Sequence, residues 1–299
     1  MLRRSLVLLA ALAVALVVAG SGGAGRQAAF PITVHAANGD VVVASRPTRI
    51  ISLSPTGTED LFAVGAGSQV IAVDNDSDYP KNAPHSTLSG YTPNVEAIAG
   101  YTPDLVVVSN DIGGVVGSLE KLGITVLLEP AADNLAHAYD EIRQLGAATG
   151  HAAQAAKVVG GMEQTLTQLL RSVPRSNRRL TVYDELDPTY YSATSATFIG
   201  RVFKLFGFRN IADAADTTHS GYPQLSAEYI VSSNPDIVVL SDTVCCGQNA
   251  ASVAARPGWG GISAVKHGRV VAVNDDIASR WGPRVVDFVR AIAAVARKK

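Results

Sequence analysis

The chain has 299 residues, a formal net charge of −1 at pH 7 and 17% charged residues. This length allows one large or two medium domains, and the balanced charge excludes a general electrostatic attraction to nucleic acid or anionic lipid. Because 47% of the residues are hydrophobic, the chain can bury sizeable cores and does not have the composition of a disordered protein.

Residues 1–29 have the pattern of a secretory signal peptide. Arg3 and Arg4 precede an apolar run at residues 6–19, and small residues follow it. The run is short for a transmembrane helix. The stretch ending at Gly20 is similar to the approach to a bacterial lipoprotein cleavage site, but Ser21 stands where that site needs a cysteine. We expect export to the periplasm or cell surface, with a lipid anchor only if the native residue at position 21 is cysteine.

The next elements are a hairpin and a short buried strand. Asn38-Gly39 predicts a tight turn between two short strands, and residues 50–53 form an apolar strand. Ser54 then begins a helix, because a hydroxyl that can cap, a proline at position 55 and acids in the first turn are all helix-start signals.

One pattern occurs twice: a glutamate on a short helix, a Pro-Asp turn, a β-branched apolar run and a polar end. Three positions recur 132 residues later: Glu96 as Glu228, Asp104 as Asp236, and Asn110 as Asp242. An unbroken apolar run suits a strand buried on both faces of a parallel sheet. Because ligands bind beyond the carboxyl ends of such strands, the repeat predicts two similar α/β lobes whose binding edges face each other across a cleft.

An alanine-rich region links the two copies. A helix at residues 151–173 would be about 34 Å long at 1.5 Å per residue, long enough to bridge two lobes, although a surface helix within one domain is the alternative. We therefore divide the chain after the signal peptide into an N-terminal lobe (30–145), a connecting helix (146–175) and a C-terminal lobe (176–299).

The chain contains two cysteines, and they are adjacent: Cys245 and Cys246. In an oxidising compartment they form either a vicinal disulfide or two free thiols. We expect the disulfide, with inert thiols as the alternative.

Several catalytic and metal-binding patterns are absent from the sequence. It contains no G-x-S-x-G elbow, no phosphate-binding loop and no H-E-x-x-H, and the histidines are not spaced as metal ligands. We therefore predict no catalytic residue and no metal ligand, and treat an enzyme as a remote alternative.

The order and spacing of the motifs resemble class III periplasmic binding proteins, which serve ABC importers of cobalamin, ferric siderophores and haem. The resemblance covers nearly all of the chain after residue 45. The motifs that carry it are Ile50 to Pro55 with Thr58-Glu59, Gly65-Ala66-Gly67, Asp78-Tyr79-Pro80, Asn94-Val95-Glu96, Pro103 to Val106, Glu228, Pro235-Asp236, Arg280 and Pro283-Arg284.

The resemblance implies an α/β fold of two Rossmann-like lobes with parallel-sheet cores, joined by one long α-helix, with a ligand cleft between the lobes. It also implies a monomer that delivers its ligand to the membrane permease subunits of an importer. Glu96 and Glu228 would pair with arginines on that permease. The alternative is an acid favoured at a helix start by the helix dipole.

The ligand is expected at the polar and aromatic side chains that follow the predicted strands. These are Ser54, Thr56, Asp76, Tyr91, Tyr190, Tyr191, Asp276, Arg280 and Trp281. Acidic residues predominate in the predicted mouth loops, which suits a neutral or cationic complex better than an anionic catecholate. We therefore expect a corrinoid as the ligand, with a ferric hydroxamate siderophore next and haem third. Among the members of the family, the chain most resembles those that bind cobalamin. No cofactor is expected beyond this cobalt- or iron-containing ligand. The remote alternative is a two-lobe enzyme with a metal held between the lobes.

Overall fold

A computed structural model describes residues 30–298. The predictions about the signal peptide and Ser21 lie outside the described residues. Within residues 30–298, none of the helices combines the length and apolar character needed to cross a membrane.

The N-terminal lobe is built on a parallel sheet with the strand order β4-β3-β5-β6, and a separate hairpin of β1 and β2 precedes it. The strands are β1 (Ile32–Ala36), β2 (Gly39–Val43), β3 (Ile50–Leu53), β4 (Val70–Val73), β5 (Leu105–Val108) and β6 (Thr125–Leu128). The helices are α1 (Pro55–Ala63), α2 (Val95–Gly100), α3 (Val115–Glu120) and α4 (Leu135–Ala148).

The predicted hairpin, the strand at residues 50–53 and the helix start at Ser54 are confirmed, but Glu59 and Asp60 lie beyond the first turn of α1, because the helix already begins at Pro55. Every residue of β3 and of β5 is buried, as expected for strands covered on both faces. Ser54 caps α1, because its Oγ accepts a hydrogen bond from the backbone N–H of Gly57 at 3.0 Å, and Pro55 occupies the first turn.

After α4, the helix α5 (Ala152–Ser172) leads to the C-terminal lobe. The strands of that lobe are β7 (Thr181–Glu185), β8 (Arg209–Asn210), β9 (Ile237–Leu240) and β10 (Val270–Ala272). The helices are α6 (Phe198–Phe206), α7 (Ala227–Ser233), α8 (Thr243–Cys246), α9 (Ala250–Ala254), α10 (Ser263–Lys266), α11 (Asp275–Ser279) and α12 (Val285–Ala296).

The two lobes share one topology. The second sheet is parallel with the order β10-β9-β7-β8, which repeats the order of the first sheet read from its other edge. Ile50 pairs with Leu105 in the first sheet and Val182 with Ile237 in the second, and both members of the pair are shifted by 132 residues. The prediction of two similar parallel-sheet lobes is therefore confirmed.

The repeated Pro-Asp turn has a structural role in both lobes. Asp104 accepts hydrogen bonds from the backbone N–H groups of Thr48 and Arg49 at 2.8 and 3.0 Å. Asp236 accepts one from the backbone N–H of Thr181 at 3.0 Å. Each aspartate thus joins the start of its own strand to the start of the neighbouring strand.

The helix α5 joins the lobes through a continuous apolar core. It has 21 residues, about 32 Å at 1.5 Å per residue, and it packs against both α4 and α12. One buried cluster contains Leu105 and Val107 of β5, Val159 and Met162 of α5, and Val239 of β9. The opposite face of each sheet packs into a separate core within its own lobe. A shared core of this kind resists large hinge motions between the lobes.

Candidate ligand-binding cleft

A cavity of about 530 Å³ lies where the two lobes meet, within the range typical of small-molecule sites. Its wall combines the loop after β6 with residues of the C-terminal lobe and the end of α11. The lining residues are Ala131, Ala132, Asp133, Leu186, Ala196, Thr197, Phe198, Ile199, His219, Ser220, Gly221, Tyr222, Ala278, Ser279 and Trp281. Among these lining residues, Asp133 alone carries a formal charge at pH 7.

Trp281 is fixed to the N-terminal lobe. Its indole Nε1–H donates a hydrogen bond of 2.6 Å to Oε2 of Glu141. Glu141 lies on α4 and is 7% exposed, while Trp281 lines the cavity between α11 and α12. The aromatic wall of the cleft is therefore held by a contact between segments distant in sequence.

The neighbouring Arg280 joins acids from both parts of the chain. Its guanidinium donates to Glu59 at 3.0 Å, to Asp78 and Asp276 at 2.7 Å each, and to the backbone carbonyl of Asp76 at 3.0 Å. Burial alone would raise the pKa of Asp78, but the hydrogen bond and charge of Arg280 lower that pKa below its ordinary value.

Arg284 makes a second, bidentate contact with the same glutamate. Its Nε donates to Glu59 Oε2 at 2.8 Å and its Nη2 to Oε1 at 2.5 Å, and its guanidinium lies 4.3 Å from the centre of the Tyr79 ring. Between the two arginines, Gly282 approaches α1 so closely that an added Cβ would lie 3.1 Å from Asp60 Oδ1. Residues 280–284 are thus anchored on the N-terminal lobe by ion pairs and by close packing.

Three buried carboxyl groups lie beneath this segment: Asp60, Glu129 and Glu141. Burial raises the pKa of Glu129 to about 9 and that of Glu141 to about 7, although the hydrogen bond from Trp281 lowers the latter. Burial, and then the charges of Glu141, Glu59 and Glu129, raise the pKa of Asp60 well above its ordinary value. One oxygen of Asp60 and one of Glu129 have no hydrogen-bond partner, so no donor offsets the effect of burial, which raises both pKa values.

The C-terminal lobe carries a comparable acidic pair at the ends of β7 and β9. Asp184 and Asp242 are fully buried, and burial raises the pKa of each to about 7. Ser241 donates a hydrogen bond to Asp184 at 2.9 Å. The charge of Asp184 also raises the pKa of Tyr222, after the burial of that ring, so this acidic pair lies near the cleft wall.

The residues predicted to bind ligand occupy several different environments. Trp281 lines the cavity, and Arg280 and Asp276 form the adjacent ion cluster. Ser54 and Thr56 are buried at the start of α1, where they do not line the cavity.

The remaining predicted residues are not part of the cavity lining. Tyr91 is 68% and Tyr191 41% exposed. Asp76 is exposed and contacts Arg280 through its backbone carbonyl. Tyr190 stacks on Trp259 with ring centres 5.8 Å apart. The role of all these residues in ligand binding stays a prediction.

Tyr222 and His219 line the cavity but are not among the residues predicted from the sequence. A signal for Tyr222 was present in the repeat. Gly221-Tyr222 precedes Glu228 by nearly the same spacing as Gly90-Tyr91 precedes Glu96. Both tyrosines have exposed rings, so each lobe presents an aromatic ring shortly before its glutamate helix.

The two repeated glutamates occupy equivalent exposed positions. Glu96 lies in the first turn of α2 and Glu228 in the first turn of α7. Asn94 caps the first helix by accepting from Ala97 N at 2.8 Å, and Ser226 caps the second by accepting from Tyr229 N at 3.1 Å. Neither glutamate is needed as a cap, so both carboxylates are available to a partner.

Cys245 and Cys246 are joined in a disulfide, as predicted, at the exposed end of α8. Asp275 accepts hydrogen bonds from the backbone N–H groups of Thr243, Val244 and Cys245 at 2.6, 2.9 and 2.7 Å. These contacts tie the disulfide-bearing helix to α11, whose end lines the cleft.

Two parallel-sheet lobes, a connecting helix and an interlobe cleft with aromatic and small side chains define a ligand-binding protein of the two-lobe type. A model of the periplasmic binding protein family matches residues 50–277. The chain belongs to the periplasmic binding protein family.

Relatives of known sequence extend over most of the chain. An uncharacterized ABC transporter substrate-binding lipoprotein of Bacillus subtilis, YvrC, is 32% identical over 275 residues, which cover 88% of this chain and 85% of the relative. A cobalamin-binding protein of Halobacterium salinarum is 33% identical over 279 residues, which cover 90% of this chain and 75% of the relative.

A solved structure is similar over nearly its whole length. The periplasmic vitamin B12-binding protein BtuF of Vibrio cholerae superposes with a TM-score of 0.68 at 27% identity, covering 85% of this chain and 99% of that one. The periplasmic haem-binding protein HutB of Vibrio cholerae has a TM-score of 0.73 at 22% identity, which supports the fold alone.

Proposed function

We propose that this chain is the extracytoplasmic substrate-binding protein of an ABC importer. The protein captures a corrinoid and delivers this ligand to a membrane permease. The observation that carries the proposal is the interlobe cavity, whose wall combines Trp281 and Tyr222 with small and apolar side chains and a single formal charge. Relatives named as cobalamin-binding, over 90% of this chain, support the same ligand class.

The charge of the cleft supports a neutral or cationic ligand. Asp133 is the charged residue of the lining, and Arg280 and Arg284 are occupied by Glu59, Asp78 and Asp276. Cations that are already paired attract an anion weakly. An anionic ferric catecholate would therefore find little attraction here. A neutral corrinoid with apolar faces and amide edges suits such a wall.

Aromatic rings in the cavity wall suit a large flat ligand. Trp281 and Tyr222 both line the cavity. Tyr91 is exposed on the N-terminal lobe. Large rings contribute apolar contact area at low conformational cost, so an extended macrocycle can be held without a metal ligand from the protein.

Haem is the second candidate, and one observation favours it. His219 and Tyr222 both line the cavity, and histidine and tyrosine are side-chain types that coordinate haem iron. A ferric hydroxamate fits the uncharged wall as well. In every case we propose a binding protein rather than an enzyme, with an iron or cobalt complex as the ligand.

Glu96 and Glu228 are proposed as the docking carboxylates for the permease. One lies on each lobe, both are exposed, and both are supported by separate capping residues. A pair of carboxylates on a fixed spacing can guide docking to a basic partner.

The test is a thermal-shift panel on residues 30–299 with cyanocobalamin, ferrioxamine, a ferric catecholate and haem. A ligand at 100 times its dissociation constant adds about 2.7 kcal/mol of stability. We expect a shift with cyanocobalamin that is reduced in Trp281→Ala and retained in Glu163→Gln, since Glu163 lies on the outer surface of α5 with 53% of its side chain exposed.

The alternative outcomes are distinct. A shift with haem that is lost in His219→Ala or Tyr222→Phe would replace the corrinoid by haem. A shift with ferrioxamine alone would assign a hydroxamate. No shift with any of the four would refute the proposed ligand classes.

A further inference from the structure

Glu141 is a buried carboxyl group that contacts the cleft only through another side chain. It lies on α4, outside the cavity lining, and Trp281 donates its indole N–H to it at 2.6 Å. Glu141 and Trp281 are 140 residues apart in the chain. This hydrogen bond is therefore a tertiary contact that determines where the indole ring lies.

The residues on both sides of Trp281 are held by contacts with the N-terminal lobe. Gly282 follows Trp281 directly and packs against Asp60 and Thr56 of α1. A Cβ added to Gly282 would lie 3.1 Å from Asp60 Oδ1 and 3.3 Å from Thr56 Cγ2. Arg280 precedes Trp281 and is held by Glu59. The backbone on both sides of Trp281 is thus fixed, and Glu141 supplies the hydrogen bond that fixes the side chain.

We propose that Glu141 is a positioning residue: its carboxyl group holds Trp281 in the cleft wall and thereby sets the affinity of the ligand. The inference rests on the binding function proposed above. Glu141 itself touches no ligand, but ligand binding depends on whether its carboxyl group is protonated.

The direction of the pH effect follows from the acceptor. Burial raises the pKa of Glu141 to about 7. The ionised carboxylate is the stronger acceptor, because hydrogen bonds to charged groups contribute more than those between neutral groups. Above pH 7 the indole is held tightly, and below pH 7 the protonated carboxyl group holds it less well. We expect affinity to rise with pH across this range.

Other titratable groups face the same region. Glu59 and Asp60 approach from α1, Glu129 from the end of β6, and Arg280 and Arg284 from the segment around Trp281. On α4 itself, His137 and Asp140 line a neighbouring cavity of about 200 Å³ together with Glu129 and Glu141. From the C-terminal lobe, the charge of Asp184 acts on Tyr222, and Asp242 in turn lies near Asp184. Burial raises the pKa of both carboxyl groups to about 7. A variant of Glu141 is therefore needed to separate its contribution.

The test measures the affinity for cyanocobalamin by equilibrium dialysis at pH 5.5 and pH 8 in three variants and the unmodified chain. We expect the unmodified chain to bind about fivefold more tightly at pH 8, the difference between a charged and a neutral acceptor. Glu141→Gln keeps an acceptor of the same shape and should lose that part of the pH dependence. Glu141→Leu has no acceptor and should bind about tenfold more weakly at pH 8. The surface variant Glu163→Gln should behave as the unmodified chain.

A second readout needs no ligand. Trp281 and Trp259 are the tryptophans of the chain, so subtracting the emission of Trp281→Phe from that of the unmodified chain isolates Trp281. We expect the emission of Trp281 obtained in this way to change with a midpoint near pH 7. In the Glu141→Gln background, the emission of Trp281, obtained by subtracting the spectrum of Glu141→Gln/Trp281→Phe, should not change with pH.

The outcomes separate the two proposals. If cyanocobalamin binds no variant but the Trp281 emission titrates only when Glu141 is present, the corrinoid proposal fails and the positioning contact stands. If the emission of Glu141→Gln titrates as before, or its affinity keeps the full pH dependence, the positioning role is refuted.

Discussion

Replacing Glu59 by alanine should destabilise the protein more than any exposed charge substitution. The side chain of Glu59 is 1% exposed and accepts from both Arg280 and Arg284. Glu59 lies on α1 of the N-terminal lobe, and both arginines lie in the segment between α11 and α12 of the C-terminal lobe. The substitution therefore removes a shared anion from the junction between the lobes.

The size of this loss in unfolding free energy depends on the partners that Arg280 and Arg284 keep when Glu59 is removed. Removing one partner of a buried ion pair typically costs about 3–5 kcal/mol, because the other charge is left buried and unpaired. Here Arg280 keeps Asp78 and Asp276 at 2.7 Å, and the side chain of Arg284 is 16% exposed and stacked on Tyr79. We therefore expect the low end of the range, about 3 kcal/mol of unfolding free energy.

The assay is urea unfolding at pH 7, followed by tryptophan emission, on the unmodified chain, Glu59→Ala, Arg284→Ala and the double variant. The double variant should cost clearly less than the sum of the single ones, since each removes the same contact. Asp287→Ala is the control, because Asp287 pairs with Arg290 on the surface with about half of each side chain exposed, and such pairs contribute about 0.2–1 kcal/mol. A loss below about 1 kcal/mol for Glu59→Ala would refute the reasoning.

Two further predictions concern pH and docking. Burial raises the folded-state pKa of Asp184 from 3.8 to about 7, so the folded state binds more protons than the unfolded state between these values and its stability falls as pH rises through them. Asp184→Asn should make the free energy of unfolding depend less on pH and should raise it at pH 8. Urea unfolding at pH 5 and pH 8 measures this difference. A difference between the two pH values as large as in the unmodified chain would contradict the prediction. Glu96→Ala and Glu228→Ala should leave ligand affinity unchanged and impair import in cells that carry the matching permease; normal import by the double variant would exclude docking through these residues.

Much of the architecture follows from local patterns in the sequence. The repeat at 132 residues predicts two lobes of one topology, because each run of apolar residues has to be covered on both faces. Ser54 predicts a helix start, because its side chain can satisfy a free N–H group of the first turn. These features depend on neighbours in sequence, or on a spacing that is visible in it.

The cleft depends on contacts that no local pattern contains. Glu59 meets Arg280 across 221 residues, and Glu141 meets Trp281 across 140. The sequence indicates that Arg280 and Trp281 follow a strand, but it does not indicate which carboxyl groups hold them.

The sequence by itself indicated two similar parallel-sheet lobes and the long helix between them, because the repeat and the helical spacing of apolar residues are visible in the chain. The strand order of each sheet came from the structure. Only the tertiary structure decided that α1 and α4 supply buried carboxyl groups to the segment at residues 280–284. The pKa values of Glu141 and Asp184 also arise there, because desolvation depends on what packs around a side chain and not on its neighbours in the chain.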